Sequence, residues 1–215
     1  MRVNCSTIHP GLYLIMIYPA RGLRLIILVL AAGMLSGCGA LTAQNPHGAL
    51  SPVNAVTSES ADHLLLFGAD PVAYFTEQRY IQGLPGYHSE FETVDIYFSS
   101  AANKALFEAN PSAYLPQYGG YCANGIAFGI PWGGNAENFI VHNDRLYIFG
   151  GALSKKAYLL DLDRNIRLSD KYWRDEINGH NSFWRRTWRL VFRVPHYQTG
   201  AEQAAAVAAA ESTGI

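Results

Sequence analysis

The sequence predicts an α+β fold, in which small antiparallel strand pairs combine with helices and a helical extension follows on the C-terminal side. Three patterns favour this class. Residues 87–98 alternate between apolar and polar side chains, as two half-buried strands do. Residues 139–149 are strand-like around Asn143-Asp144, a dipeptide typical of hairpin turns. Residues 154–178 carry apolar side chains at helical spacing, with many charges between them.

Local signals place the shorter elements. Residues 63–67 are apolar and predict a strand or a helical turn, and residues 80–83 predict a further strand. A serine N-cap predicts a helix over residues 100–109. Pro111 then favours the start of a second short helix, because its fixed backbone angle suits the first helical position.

The N-terminal segment carries the pattern of a lipoprotein signal. Two arginines precede a ten-residue apolar run, residues 25–34, which is too short to span a bilayer as a helix. Leu35-Ser36-Gly37 stands directly before Cys38. This stretch resembles the lipobox of bacterial lipoproteins, in which the cysteine thiol receives a diacylglycerol. The resemblance implies that residues 1–37 are a signal peptide and that Cys38 is lipidated, with palmitate among the expected modifications.

The same segment predicts a location. Gly39, rather than an aspartate, follows the cysteine, and by resemblance to enterobacterial sorting this favours the outer membrane over the inner one. We expect a bacterial cell-envelope protein that faces the periplasm and reaches the membrane through its lipid anchor. Met16 offers an alternative start, and an ordinary signal peptide or an anchor helix is the competing interpretation. Residues 38–60 predict the anchor and a flexible tether.

Composition excludes several classes of function. Residues 1–37 carry three arginines and no acidic residue, so without them the net charge falls from −1 to −4, and nothing favours nucleic-acid binding. Of the three cysteines, Cys5 lies in the leader and Cys38 is the lipid site, which leaves Cys122 without a partner for a disulfide. All three methionines lie in the leader, which argues against a Met-rich copper carrier.

Several segments in order resemble the YHS domain family. They are Asp70-Pro71-Val72 within residues 68–75, Tyr87-His88-Ser89, residues 96–100 with Phe107, residues 111–114 and residues 116–123. The resemblance implies a small α+β domain over residues 61–150, related to the treble-clef-like metal-binding modules of metal transporters and sensors. Residues 151–198 then form a helical, basic and aromatic extension, and residues 199–215 an Ala-rich tail, expected to be a frayed helix or disordered.

The family's usual metal site is not carried over to this chain. In the metal-binding relatives, cysteines stand at the positions that Ala73, Ser99 and Asn103 occupy here. Zinc and soft-metal sites need thiolate or imidazole ligands, which these three side chains do not supply.

Cys122 and His88 are the remaining candidate metal ligands, with His142 or His63 as further imidazoles. Thiolate and imidazole together suit copper or zinc. In the competing interpretation, His88 packs within a strand pair and Cys122 packs as a small hydrophobic residue. A reactive redox thiol at Cys122 is the third interpretation.

Residues 183–193 predict a helix with two distinct faces. One face carries Arg186, Arg189 and Arg193, and the other carries Trp184, Trp188 and Val191. We expect the aromatic face to cover the core while the arginine heads reach solvent. The alternative is a helix that lies at a membrane interface.

The expected function is non-catalytic. We predict a cell-envelope lipoprotein that binds a metal ion, copper or zinc, or a small ligand at the periplasmic face of a membrane. The alternative is a structural or protein-interaction module with a degenerate metal site and a partner protein in the envelope.

Overall fold

The computed structural model describes residues 64–92, 94–180 and 182–214. The predicted signal peptide, Cys38, the tether and His63 lie outside the described residues. Within them, two small antiparallel sheets combine with helices, and helices follow the last strand. The predicted α+β class is therefore confirmed.

Two antiparallel hairpins supply the strands. They are β1 (Leu84–Phe91) with β2 (Val94–Phe98), and β3 (Asn135–His142) with β4 (Arg145–Phe149). The turn between β3 and β4 is the predicted one: Asn143 and Asp144 both have positive φ angles, 50° and 55°, as a two-residue hairpin turn requires. The strand predicted at residues 80–83 does not form, because Gln82 makes only an isolated bridge with Ala69.

Helices fill most of the remaining described chain. They are α1 (Ala73–Thr76), α2 (Ala101–Ala109), α3 (Pro111–Tyr114), α4 (Ala123–Ile126), α5 (Ala152–Leu159), α6 (Leu162–Tyr172), α7 (Ser182–Val191) and α8 (Gly200–Thr213), with a 3-10 turn at Leu66–Gly68 and a π-helical turn at Trp173–Ile177. Ser100 caps α2 as predicted, since its side chain accepts from the backbone N–H of Asn103 at 3.1 Å.

The long helix predicted over residues 154–178 is divided. Helix α5 ends at Leu159, and α6 begins at Leu162. Asp161 lies between them and accepts from the backbone N–H of Arg164 at 3.4 Å. An aspartate side chain competes for backbone groups inside a helix but stabilises a helix start, which explains the break.

Strand β4 separates two hydrophobic cores. Leu146 and Ile148 point into the N-terminal core, which also holds buried side chains from β2 and α2. Tyr147 and Phe149 point the other way, into the C-terminal core with α4, α5 and α6. Alternate residues of a strand face opposite sides, so one strand serves both cores.

The Ala-rich segment at the C-terminus is a capped and docked helix, which corrects the expected frayed or disordered tail. Thr199 and Glu202 form a reciprocal capping box at the start of α8. Gln203 and Val207, one helical turn apart, are buried. The side-chain amide of Asn124 donates to Gln203 Oε1 at 2.9 Å in the interior. Because the buried Gln203 is polar, the buried side of α8 does not form an apolar stripe that the sequence would show.

Candidate functional site

Asp70 is completely buried in the turn before α1, and its carboxylate accepts five hydrogen bonds. Oδ1 accepts from the backbone N–H groups of Val72, at 2.9 Å, and Ala73, at 3.3 Å. Oδ2 accepts from the backbone N–H of Ser99 at 2.8 Å and from its hydroxyl at 2.6 Å. The side-chain amide of Asn103 completes the set at 2.7 Å.

These five bonds bring together Ala73, Ser99 and Asn103, the three positions that the YHS resemblance pairs with metal-ligating cysteines. Ala73, Ser99 and Asn103 come from α1, the end of β2 and α2, and all three contact the same carboxylate. A buried carboxylate is costly unless hydrogen bonds replace its water, and here donors reach both oxygens. We call this cluster of Asp70, Ala73, Ser99 and Asn103 the Asp70 knot.

Sequence reasoning missed Asp70 as the centre of the site. A local signal was present, because an aspartate shortly before a helix, here three residues before Ala73, often accepts from the N–H groups at the helix start. The contacts to Ser99 and Asn103 span 29 and 33 residues of sequence, and no local pattern predicts them.

Cys122 is buried, 2% exposed, at the start of α4 in the C-terminal core. Burial raises the pKa of its thiol above the usual value. The backbone N–H groups of Gly125, Gly150 and Asn124 and the Ser154 hydroxyl favour the thiolate but do not outweigh burial. The protonated, inert form is therefore favoured, as expected for a cysteine that packs as a small hydrophobic residue.

His88 lies elsewhere in the fold. It is exposed on β1, opposite Tyr97 of β2, in the hairpin that packs against α2. His142 ends β3, and its Nε2 lies 3.1 Å from the side-chain nitrogen of Asn143. In the part of the chain that the structure describes, no group of three or more His, Cys, Asp or Glu side chains is arranged to hold a metal ion.

We expect Cys122 to resist thiol reagents in the folded protein. Ellman's reagent at pH 8 should modify it at least about 100-fold more slowly than in 6 M guanidinium, because modification requires local opening of the core. The measurement is the absorbance of released thionitrobenzoate, with free cysteine as the control for reagent activity. Rapid modification in native buffer would favour the redox-thiol interpretation instead.

A small polar cavity of about 290 Å³ is the candidate place for a small ligand. Its walls come from the β1–β2 hairpin, from α3 and the segment after it, and from the π-helical turn: Phe91, Glu92, Ser112, Leu115, Pro116, Gln117, Tyr118, Gly119 and Trp173. The cavity suits a molecule much smaller than a cofactor.

A hydrogen-bonded network supports one wall of this cavity. The Arg145 guanidinium donates to Gln117 Oε1 and to Asp170 Oδ1, both at 2.7 Å. The Tyr118 hydroxyl donates to the same Asp170 oxygen at 2.8 Å. Burial, followed by the nearby Tyr158 and Asp170, raises the pKa of Tyr118, so its hydroxyl remains a donor. The network fixes Gln117 and Tyr118 in place.

Helix α7 has the opposite orientation to the one expected. Arg186 donates to the backbone carbonyl of Pro131, with Nε at 3.1 Å, and Arg189 forms an ion pair with Glu176. Arg186 and Arg189 therefore lie against the protein, while Trp184, Trp188 and Arg193, which follows the end of α7, are exposed. Sequence periodicity distinguishes the two faces of a helix but does not tell which face packs against the rest of the protein. Here a backbone carbonyl and a carboxylate on the protein accept hydrogen bonds from the guanidinium groups.

The comparisons with known proteins found no relative. No model of a protein family, no curated protein and no solved structure matches the chain. None of the helices described above is long and apolar enough to cross a membrane.

Proposed function

We propose that this protein is a bacterial cell-envelope lipoprotein whose YHS-like domain is a non-catalytic interaction module with a degenerate metal site. The Asp70 knot carries this proposal. The positions that would supply thiolates instead supply a methyl group, a hydroxyl and an amide, and the last two donate to a carboxylate. Hydrogen-bond donors facing one carboxylate hold that charge without a cation. The domain then functions through its surface, by contact with an envelope protein or a small ligand.

Metal binding at Cys122 and His88 is the second candidate function. Backbone N–H groups at the thiol favour the thiolate and so favour this candidate, but the thiol is buried and His88 is exposed on another hairpin. A redox function of Cys122 meets the same obstacle of burial.

A metal titration separates these candidates. The processed protein, purified anaerobically, would be titrated with Cu(I), Cu(II) and Zn(II) beside Cys122→Ser and His88→Ala. We expect no tight stoichiometric site in the wild type and equal weak binding in all three proteins. Stoichiometric binding that either substitution removes would establish a metal-handling function and overturn the interaction-module proposal.

The lipid anchor is tested at Cys38. We expect Cys38→Ser to abolish incorporation of labelled palmitate, because the cysteine sulfur is the attachment point that the lipobox resemblance implies. Mass spectrometry of the processed N-terminus would identify the modified residue. Cys122→Ser is the matched control and should be labelled like the wild type. Equal labelling of Cys38→Ser would contradict the anchor.

A further inference from the structure

Helix α7 is attached to the protein through its polar face and exposes an apolar one. The guanidinium of Arg189 is largely buried in its ion pair with Glu176, and Arg186 reaches the carbonyl of Pro131. On the opposite side, four apolar residues are each more than half exposed: Trp184, Trp188, Val191 and Phe192. This arrangement is the reverse of an ordinary surface helix, whose apolar stripe faces the core.

The four residues form one continuous surface, which we call the α7 apolar face. Their spacing of four, three and one residues places them along one side of the helix. The rings of Trp188 and Phe192 pack together with centroids 4.1 Å apart. A shallow groove of about 580 Å³ runs along this face, and Arg185 and His180 are among the residues that line it. Contiguous exposed apolar surface of this kind marks an interaction site.

The segment that carries this face is basic. Residues 177–201 contain four arginines and no aspartate or glutamate, although the whole chain has a net charge of −1. Arg189 forms an ion pair with Glu176, and Arg193 is close enough to the exposed Glu202 to favour its carboxylate form. Arg185 lines the groove, and Arg193 is exposed beside the Tyr197 ring, 4.7 Å from its centroid. The apolar face is therefore bordered by cationic groups.

From this juxtaposition we propose that α7 lies in the interface of an anionic lipid bilayer. The α7 apolar face enters the boundary between headgroups and acyl chains, and Arg185 and Arg193 contact lipid phosphates. Tryptophan and phenylalanine prefer this boundary, and arginine borders it through charge-assisted bonds to phosphate. The chemistry recognised is the anionic phospholipid headgroup together with its acyl chain.

The inference rests on the proposed function in one respect, because the Cys38 anchor is what brings α7 to a membrane. The chain from Cys38 to Leu64 comprises 26 residue steps, which extend to at most about 90 Å. That length permits the domain to reach the same bilayer in which its anchor is held. The lipid anchor would hold the domain at the bilayer, and contact through α7 would fix which side of the domain faces the lipid.

A second copy of this chain is a poorer occupant of the same surface. A two-fold contact through the α7 apolar face would bring Arg185 and Arg193 of both copies to one interface, and the neighbouring Glu176 and Glu202 already interact with Arg189 and Arg193. An anionic bilayer satisfies both the apolar and the cationic parts of the surface.

Quenching of tryptophan fluorescence by brominated lipids tests the inference independently of the anchor. The processed protein would be purified from membranes and reconstituted into phosphatidylglycerol vesicles with brominated acyl chains. We expect strong quenching that is lost in Trp184→Phe/Trp188→Phe, which retains Trp132 and Trp173 as unquenched reporters. Val191→Asp keeps all four tryptophans and should reduce quenching by roughly threefold or more, because it places a charge in the acyl boundary.

Leu160→Asp is the matched control, since Leu160 is an exposed apolar residue outside α7, and its quenching should equal that of the wild type. Urea denaturation would verify that each variant is folded. Absence of quenching in a protein whose Cys38 is lipidated would overturn the α7 inference and leave the anchor intact. Quenching in protein whose Cys38 is unmodified would support α7 and contradict the anchor. Concentration-dependent dimers that protect the tryptophans from quenching would also overturn it.

Discussion

Replacing Asp70 with alanine is expected to lower the free energy of unfolding by about 3 to 5 kcal/mol. The substitution removes the common acceptor of the Asp70 knot and leaves the backbone N–H groups of Val72 and Ser99 and the Asn103 amide without it in the interior. Buried donors that lose their acceptor cost far more than the bond itself contributes. Urea denaturation, followed by circular dichroism, measures the change.

Asp70→Asn tests how much of this loss comes from the acceptor oxygens rather than from the shape of the side chain. The amide has nearly the same shape but turns an NH2 group toward donors, so we expect a loss of about 2 to 3 kcal/mol. Asp163→Asn is the matched control, because Asp163 is exposed in the first turn of α6 and should change stability by less than about 1 kcal/mol. Equal small losses at both positions would show that the knot contributes little to stability.

Gly134→Ala is expected to lower the free energy of unfolding by about 3 kcal/mol or more. A Cβ at this position would lie 2.3 Å from the backbone oxygen of Gly120 and 2.6 Å from Cγ2 of Ile148. Neither contact is relieved by rotating a flexible side chain, because one atom belongs to the backbone and the other to a buried branched residue. The chain entering β3 would have to move away from the segment that leads to Cys122.

Gly133→Ala provides a matched control one residue away. A Cβ on Gly133 meets nothing within 4 Å, so its substitution should leave stability within about 0.5 kcal/mol of the wild type. Thermal and urea denaturation of the two variants measure the difference directly. Similar stability of both proteins would mean that Gly120 and Gly134 are not held as closely as the structure shows.

Local sequence signals predicted the elements whose determinants are local. The Asn143-Asp144 turn and the Ser100 cap are both present as expected. The docking of α8 was not predicted, because Gln203 belongs to its buried face and is satisfied by Asn124, far away in sequence. Hydrophobic periodicity cannot register a polar residue that is buried through a specific partner.

The candidate site was predicted only in part. The resemblance singled out Ala73, Ser99 and Asn103 as positions without metal ligands, and it did not predict that all three donate to the Asp70 carboxylate. The predicted orientation of α7 was wrong. Arg186 and Arg189 bind Pro131 and Glu176, which lie outside the helix, so the pattern of the helix alone does not reveal these contacts. In both cases the deciding contacts join residues of different elements, and local sequence patterns do not report such contacts.

We propose that the hydrogen bonds to Asp70 take the place of a metal site, and zinc titration of Ala73→Cys/Ser99→Cys/Asn103→Cys is the direct test. Cysteines at these three positions, together with the Asp70 carboxylate, would supply four ligands of the kinds that zinc accepts. We expect one tightly bound zinc ion in this variant and none in the wild type, with circular dichroism confirming that both proteins are folded. A folded variant that binds no more zinc than the wild type, or a wild type that binds zinc tightly and loses it on Ser99→Ala, would contradict the account.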